Sequence, residues 1–335
     1  MSDTLHLLVP YAASHHPGCQ HTLQTLALPH LDGLLRQLQR QGSDSGDEDH
    51  PAMPHERALA RALGLPGDGA HTPWAAWQVQ RQGPPPEHPP AQTADTSAWA
   101  FVTPCHWQVG TDHITLIDPH ELALDEAASR ALLAIVAPWL QSDGITLVYE
   151  QPTRWLARGD ALAHLVTPSL ERAQGHDVRG WLQHQAQTSG QHSPQVQAAQ
   201  TWQRLHSELQ MLLYTHPFND ARTAQGLPAV NSFWVHGTGA LPAGLTAPTQ
   251  PPQVADALRA PALREDWRAW ASTWTALDAG PVAELLRQAE QGQPVRLTLS
   301  GEHCAQTFHT APLGLVQRIQ RFLKPQRFMD VREQL

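Results

Sequence analysis

The first cluster of residues able to do chemistry lies near the amino terminus, where residues 15–21 read HHPGCQH. Cysteine sulfur and histidine imidazole suit zinc, so His15, His16, Cys19 and His21 form one candidate metal site. The chain contains 21 histidines, however, and clustering by chance competes with that interpretation.

A second candidate is the pair Cys105-His106, in which a thiol nucleophile lies beside an imidazole base. The surrounding residues read as a strand, and neighbours on a strand point to opposite faces of the sheet. The pattern therefore favours a packed thiol over a catalytic pair.

The most specific polar stretch is residues 216–239, HPFNDARTAQGLPAVNSFWVHGTG. It contains Asn219, Arg222 and Asn231, and an arginine can clamp an anion through two parallel hydrogen bonds. A small anion or phosphate pocket and a purely structural polar network both fit these residues.

Regular elements must position this stretch. Trp202, Leu205, Leu209 and Leu212 recur at helical spacing, which predicts a helix from about 200 to 214 that ends before Pro217. The apolar run 230–235 predicts a buried strand, with residues 219–222 in the loop between. Elsewhere the pattern predicts strands at 5–9, 99–102, 114–117, 145–149 and 295–299, and helices at 23–38, 55–64, 125–140, 267–274 and 281–291, with a helix start or a kink near Pro29. The acidic tract 41–50 favours a solvated loop over a metal-binding role. The stripe of Trp267, Trp270 and Trp274 favours core packing over a binding face.

The order Asn219, Arg222, Gly226-x-Pro228-x-x-Asn231, apolar strand and Gly237-x-Gly239 resembles a segment of archaeal-type, cofactor-independent phosphoglycerate mutases. Those are metal-dependent enzymes of the alkaline-phosphatase superfamily. The sequence is still more similar to a shorter proteobacterial family, labelled phosphoglycerate mutase-like or regulatory protein of the Rpf E type.

The resemblance extends to a second stretch, in which Arg154 follows a strand and His176-Asp177 follows in a loop. This succession is similar to the substrate-binding insertion of the archaeal-type enzymes. The resemblance therefore implies a ligand-binding set of six residues: Arg154, His176, Asp177, Asn219, Arg222 and Asn231.

The resemblance also bears on metal ligands, because phosphoryl transfer in this superfamily needs two metal ions and a serine or threonine nucleophile. The first-strand aspartate of the superfamily is replaced here by Pro10-Tyr11-Ala12, and no nucleophile loop is recognisable. Glu302 and His303 resemble the remnant of an Asp-His ligand pair, and His309 echoes a later histidine. These three could hold a single manganese or zinc ion, but hardly two, so we expect no cofactor beyond such an ion.

Composition excludes some partners. The net charge is −9 and the only lysine is Lys324, which argues against a nucleic-acid footprint. No run approaches the length needed to span a bilayer, and no signal peptide is recognisable. Three separated cysteines fit free thiols in a reducing compartment. We therefore expect a cytoplasmic protein that binds neither nucleic acid nor membrane.

We predict an α/β fold: an alkaline-phosphatase-like sheet flanked by helices, with a smaller α/β insertion domain. Residues 1–94 would form the first part of the core with a proline-rich linker at 82–92, residues 95–190 the insertion, and residues 191–335 the remainder of the core. The predicted function is that of a catalytically degenerate phosphoglycerate mutase-like regulatory or interaction protein, with an unidentified protein partner or a small phosphorylated metabolite. The alternative is an active metal-dependent phosphoglycerate mutase or phosphatase, in which His15, His16, Glu302, His303 and His309 would converge.

Overall fold

The structure is a computed structural model of the 335-residue chain, and it describes residues 4–46, 50–67, 71–83, 97–181, 193–311 and 326–335. Its strands are β1 Leu5–Val9, β2 Gln39–Ser45, β3 Trp99–Cys105, β4 Trp107–Val109, β5 Ile114–Leu116, β6 Thr146–Gln151, β7 Arg154–Arg158, β8 Ser232–Gly239, β9 Gln253–Val254, β10 Val295–Ser300 and β11 Cys304–His309. Its helices are α1 Pro17–Leu23, α2 Pro29–Gln37, α3 Pro54–Leu63, α4 Trp74–Gln82, α5 Glu126–Gln141, α6 Leu170–Ala173, α7 Pro194–Tyr214, α8 Pro217–Ala224, α9 Arg259–Leu263, α10 Trp267–Leu277, α11 Ala283–Glu290 and α12 Phe328–Arg332.

The chain divides into two compact units: residues 1–64 with 246–335, and residues 65–245. The boundaries predicted at 94 and 190 differ from this division. Strand β8 pairs along its length with β3, from Trp99 opposite Gly239 to Cys105 opposite Ser232, and therefore belongs to the second unit. The predicted proline-rich linker lies, from residue 84 onward, outside the described residues.

The first unit is built on a five-stranded mixed sheet in the order β2-β11-β10-β1-β9. Strand β1 runs parallel to β10 and β9, whereas β11 is antiparallel to β10 and to β2. Alternate residues point to opposite faces. Leu7 and Leu297 therefore face the main core with α2 and α10, and Leu8 faces α3 with Ala305.

The second unit contains an antiparallel sheet in the order β6-β7-β3-β8 and a separate hairpin of β4 and β5. On one face Val102 and Val235 pack with residues of α5 and α7. On the other face Trp99 and Phe101 pack with Ala75 of α4. This unit thus buries both sides of its sheet against helices.

Sheets flanked by helices confirm the predicted α/β class. The predicted strands at 5–9 and 295–299 and the helix at 125–140 are present, and Asp125 caps α5 by accepting a 2.7 Å hydrogen bond from the Ala128 N–H. No helix in the described ranges combines the length and apolarity needed to cross a bilayer.

Three local predictions are wrong. The first residues of the tract 41–50, which was predicted as a solvated loop, belong to edge strand β2. They form a strand because backbone pairing with β11 needs no apolar side chains. Residues 47–49 of the tract lie outside the described ranges. Asn219 and Arg222 lie in helix α8 and not in a loop, because Pro217 takes the first helical position and His216 caps it. Pro281 does not start a helix: it lies in a π turn, Asp278–Val282, that joins α10 to α11.

Candidate functional site

The carboxyl ends of β1 and β10 lie at one edge of the first sheet. These strands are parallel and in register, with Val9 opposite Leu299. The loops that follow them therefore leave the sheet side by side, at the position where open α/β sheets bring their functional loops together. Residues 10–16 and 301–303 form this carboxyl edge.

Buried indoles hold the loop after β1. Trp270 donates a 3.0 Å hydrogen bond to the Tyr11 carbonyl, and Trp274 donates a 3.1 Å bond to the Ala12 carbonyl. The Ala12 N–H donates to the Ser300 carbonyl at 2.7 Å, which ties this loop to the end of β10. The predicted tryptophan stripe is therefore core, since Trp270 and Trp274 are fully buried, and it also fixes the loop that carries Ser14 and His15.

The carboxylate of Glu302 organises the edge. It accepts a 2.6 Å hydrogen bond from the Ser14 hydroxyl and a 3.2 Å bond from the His15 N–H. The His15 Nδ1 atom lies 3.6 Å from the same carboxylate, and the His15 ring centroid is 5.0 Å from that of His303. The Leu335 carbonyl accepts from the His303 and Cys304 N–H groups, which fixes the second loop.

Within the residues that the structure describes, one group of three side chains has ligand atoms that could share a metal ion. This group is His15, Glu302 and His303. One ligand atom from each lies within 4.8 Å of the others. Two imidazoles and a carboxylate suit zinc or manganese. Ser14 is absent from the predicted set, and its only sequence signal is its place one residue before His15.

His309 does not join this group. It ends β11, five residues beyond Cys304, and pairs with Arg296 near the amino end of β10. At the usual rise of a strand this places His309 about 17 Å from Cys304. The structure therefore does not bring together the predicted metal set of Glu302, His303 and His309; the residue that lies beside Glu302 and His303 is His15.

The rest of the histidine-rich segment serves the fold. His16 caps α1, because its Nδ1 accepts a 3.1 Å hydrogen bond from the Gly18 N–H, and its ring stacks on Trp267. Cys19 is fully buried, and burial raises the pKa of its thiol to about 11. The competing zinc site of His15, His16, Cys19 and His21 is not formed, because Cys19 points into the core.

Cys105 is likewise a packed thiol, as its strand context predicts. It is fully buried, and burial raises its pKa to about 12. His106 bonds instead to the Ala229 carbonyl at 2.8 Å. The neighbouring residues thus have separate environments, and they do not form a nucleophile and base.

Three of the six predicted ligand-binding residues bind backbone groups around α8. Asn219 donates to the Leu213 and Val230 carbonyls and accepts from the Val230 N–H, all at 2.8–2.9 Å. Arg222 is buried and donates to the carbonyls of Pro228, at 2.9 Å, and Leu122. Asn231 pairs with both backbone groups of Trp107, at 2.7 and 3.0 Å.

The other three also have partners within the second unit. Arg154 makes a two-pronged contact with Glu150, at 2.8 and 3.0 Å, and lies over the Phe101 ring. Asp177 is exposed and pairs with Arg179, and a hydrogen bond from the Ile114 N–H contributes most to holding its pKa below the usual range. His176 is exposed and bonds to the Gln174 carbonyl at 2.9 Å.

These six residues do not line one pocket. Arg154 lies against Phe101, on the sheet face that α4 covers. Asn219 bonds to Leu213 and Val230, which belong to the core on the opposite face. A single phosphate cannot contact both groups through the sheet.

An aromatic cavity of about 130 Å³ lies beside α7 and β8. His206 is buried in its wall, bonds through Nε2 to the Ser232 hydroxyl at 2.6 Å and lies 4.5 Å from the Trp107 ring centroid. Among the described residues, its lining contains no arginine or lysine; the lining residues are Trp107, Thr167, Trp202, Gln203, His206, Ser207, Phe233, Trp234 and Val235. The cavity is therefore unsuited to a phosphorylated ligand.

No protein-family model and no curated protein sequence matches this chain. Among solved structures, it aligns with a cofactor-independent phosphoglycerate mutase from Thermoplasma acidophilum at 12% identity and a TM-score of 0.35, over 93% of this chain and 90% of that one. It also aligns with the PH0037 protein from Pyrococcus horikoshii at 10% identity and a TM-score of 0.40, over 92% and 88% of the two chains.

Proposed function

We propose that this chain is a phosphoglycerate mutase-like protein of the proteobacterial Rpf E type that lacks two-metal phosphoryl transfer. It would act in the cytoplasm as a regulatory or interaction protein, with a protein partner. The sequence resemblance around Asn219 and Arg222 supports the relationship. The observation that carries the loss of chemistry is the ligand set at the carboxyl edge of the first sheet.

That ligand set is too small for two ions. Two-metal sites hold ions about 4 Å apart and need ligands on both. Within the described part of the chain, His15, Glu302 and His303 are the one group of three or more possible ligands whose atoms lie close enough to share an ion. Tyr11, near the position of the superfamily's aspartate, is buried and lies 5.5 Å from the His55 ring centroid, and it supplies no carboxylate.

One divalent ion does fit these residues. His15 and His303 would supply imidazole nitrogens and Glu302 a carboxylate oxygen, leaving positions open to water. Ser14 already donates to Glu302 and would orient that carboxylate. Such an ion could polarise a bound oxygen, but a second ion would be needed to share the charge of a migrating phosphoryl group.

The six polar residues of the second unit are proposed to act chiefly as a structural network. Each binds a backbone group or a neighbouring charge of its own unit, and Asn219 and Arg222 are buried in that role. Binding of a small phosphorylated metabolite there would require Arg154 to exchange Glu150 for the ligand.

Metal content and catalysis test the proposal together. Purified protein is loaded with zinc or manganese, freed of excess, and analysed for metal per chain. It is also assayed for interconversion of 3- and 2-phosphoglycerate. We expect at most one ion per chain and no turnover in the wild type. Any bound ion should be lost in His303→Ala. It should be retained in His21→Ala, which replaces an exposed histidine of the same unit.

The alternative, a metal-dependent mutase or phosphatase, is favoured only by the approach of His15 to Glu302 and His303. Two ions per chain with turnover that His303→Ala abolishes would establish that enzyme and overturn the proposal.

A further inference from the structure

A second cavity, of about 360 Å³, lies in the first unit between the sheet and α3. Its lining comes from β1, β2, β10, β11 and α3; the residues are His6, Gln41, Gly42, Ser43, Asp44, Ala58, Arg61, Ala62, Arg296, Ala305 and Thr307. This size is typical of sites for small metabolites. His6 and Arg296 are the second residues of β1 and β10, whereas Ala305 lies opposite Ser300, the last residue of β10, so the cavity runs along the sheet face that α3 covers.

Strand register explains why polar groups meet here. His6 lies opposite Arg296, and Thr298 lies opposite Thr307. These residues alternate with Leu7 and Leu297, which face the main core, so their own side chains face α3. The His6 Nε2 atom lies 2.9 Å from the Thr298 hydroxyl, which itself contacts the Thr307 hydroxyl at 2.9 Å.

Arg296 supplies charge without a partner. Its Nε–H is buried and has no hydrogen-bond acceptor, and its guanidinium forms no ion pair within the described ranges of the chain. His309, opposite Arg296 on β11, also has a buried Nδ1 without a partner there. A buried donor without an acceptor destabilises the fold, and more strongly when the donor is charged.

The other charges around the cavity leave it positive. Asp44 is contacted by Arg57, at 3.1 Å, and by Arg61. Burial tends to raise the pKa of Asp44, but hydrogen bonds from these guanidiniums outweigh it and lower that pKa. Two arginines thus outnumber one carboxylate, and Arg296 adds a third positive charge. His6 stays neutral, since burial, assisted by Arg296, lowers its pKa to about 4.

We propose that this cavity binds a small dianion, a phosphoryl or dicarboxylate group, with Arg296 as its main partner and Arg61 as the second. A guanidinium can hold either group through two parallel hydrogen bonds. The ligand oxygens would supply the acceptor that the Arg296 Nε–H lacks. Gly42 leaves room for it, because a Cβ atom built there meets nothing within 4 Å.

The test titrates the whole protein with inorganic phosphate or succinate at constant ionic strength set by chloride. Binding is followed by NMR, including the His6 ring signals, and by the melting temperature, which a native-state ligand must raise. Two variants probe the site. Arg296→Gln removes its main charge, and Gly42→Leu fills the space while leaving every charge in place. Arg287→Gln is the matched control, because Arg287 lies on the surface of the same unit in a pair with Glu284.

We expect saturable binding of at least one anion, with affinity at least tenfold weaker in both variants and within twofold of wild type in Arg287→Gln. The bound anion should also raise the pKa of His6. The anion that binds more tightly identifies the chemical group of the ligand. Tighter binding of phosphate indicates a phosphoryl ligand, and tighter binding of succinate indicates a dicarboxylate. Absence of saturable binding of both by the wild type, or unchanged affinity in folded Arg296→Gln or Gly42→Leu, overturns the proposal.

Discussion

Acid should destabilise the second unit through one buried histidine. His206 is 8% exposed, bonds to Ser232 and packs against Trp107. Burial lowers its pKa from 6.5 to about 4. The folded protein therefore resists protonation of His206 in a pH range where the unfolded chain accepts the proton freely.

The sign follows from proton binding. Above pH 6.5 the ring is neutral in both states and its contribution to stability is complete. As the pH falls from 6.5 toward 4, the unfolded state binds more protons, and the free energy of unfolding decreases. The loss from His206 amounts to about 2 kcal/mol at pH 5 and about 3 kcal/mol below pH 4.

The replacement His206→Gln isolates this contribution, because glutamine can still bond to Ser232 but does not titrate. Other buried histidines, such as His236 with a pKa lowered to about 3 by burial, contribute equally to both proteins. Urea unfolding followed by tryptophan fluorescence at pH 7.5 and 5.0 gives the free energies. The wild type should lose about 2 kcal/mol more than the variant between these pH values. Equal losses in the two proteins would refute the assignment of a buried, neutral His206.

Three further outcomes are expected. Trp274→Phe leaves the Ala12 carbonyl without its buried donor and should lower the free energy of unfolding by about 1–3 kcal/mol. The control Trp139→Phe, on the surface, should change the free energy of unfolding little. Equal effects of the two replacements would contradict the role of the Trp274 indole N–H. Arg222→Met leaves the Pro228 and Leu122 carbonyls unpaired and should lower the free energy of unfolding in urea by about 3 kcal/mol. The control Arg179→Met, which removes an exposed ion pair, should have a small effect. An Arg222→Met variant as stable as the wild type would argue against a structural role for Arg222. All three cysteines are buried, and burial raises the pKa of Cys19 to about 11 and that of Cys105 to about 12. A disulfide reagent at pH 8 should therefore react with three thiols only after denaturation. Rapid reaction of the native protein would show that these thiols are accessible.

Core packing fixes the loop that follows β1 at the carboxyl edge. Trp270 and Trp274 use their indole N–H groups to hold the carbonyls of Tyr11 and Ala12. A loop fixed in this way presents Ser14 and His15 to Glu302, while the Tyr11 ring stays buried. Core packing therefore orders this edge, and the residues that follow β1, Pro10, Tyr11 and Ala12, bring no carboxylate to it.

Local patterns in the sequence determined much of the fold. The apolar runs 5–9 and 295–299 identified two strands, and the helix predicted from residue 125 matches α5, which Asp125 caps. The spacing of Trp270 and Trp274 identified a buried helix face. These signals can be read directly because each depends on neighbours within a few residues along the chain.

Tertiary structure alone decided which distant residues meet. The parallel register of β1 and β10 brings His15 to Glu302 and His303, whereas the antiparallel turn into β11 carries His309 away from them toward Arg296. Backbone pairing also made a strand of the polar tract Gln39–Ser45 and placed β8 beside β3. Hydrogen bonds between strands join backbone groups that every residue type possesses, so side-chain patterns predict the existence of a strand far better than its partner and register.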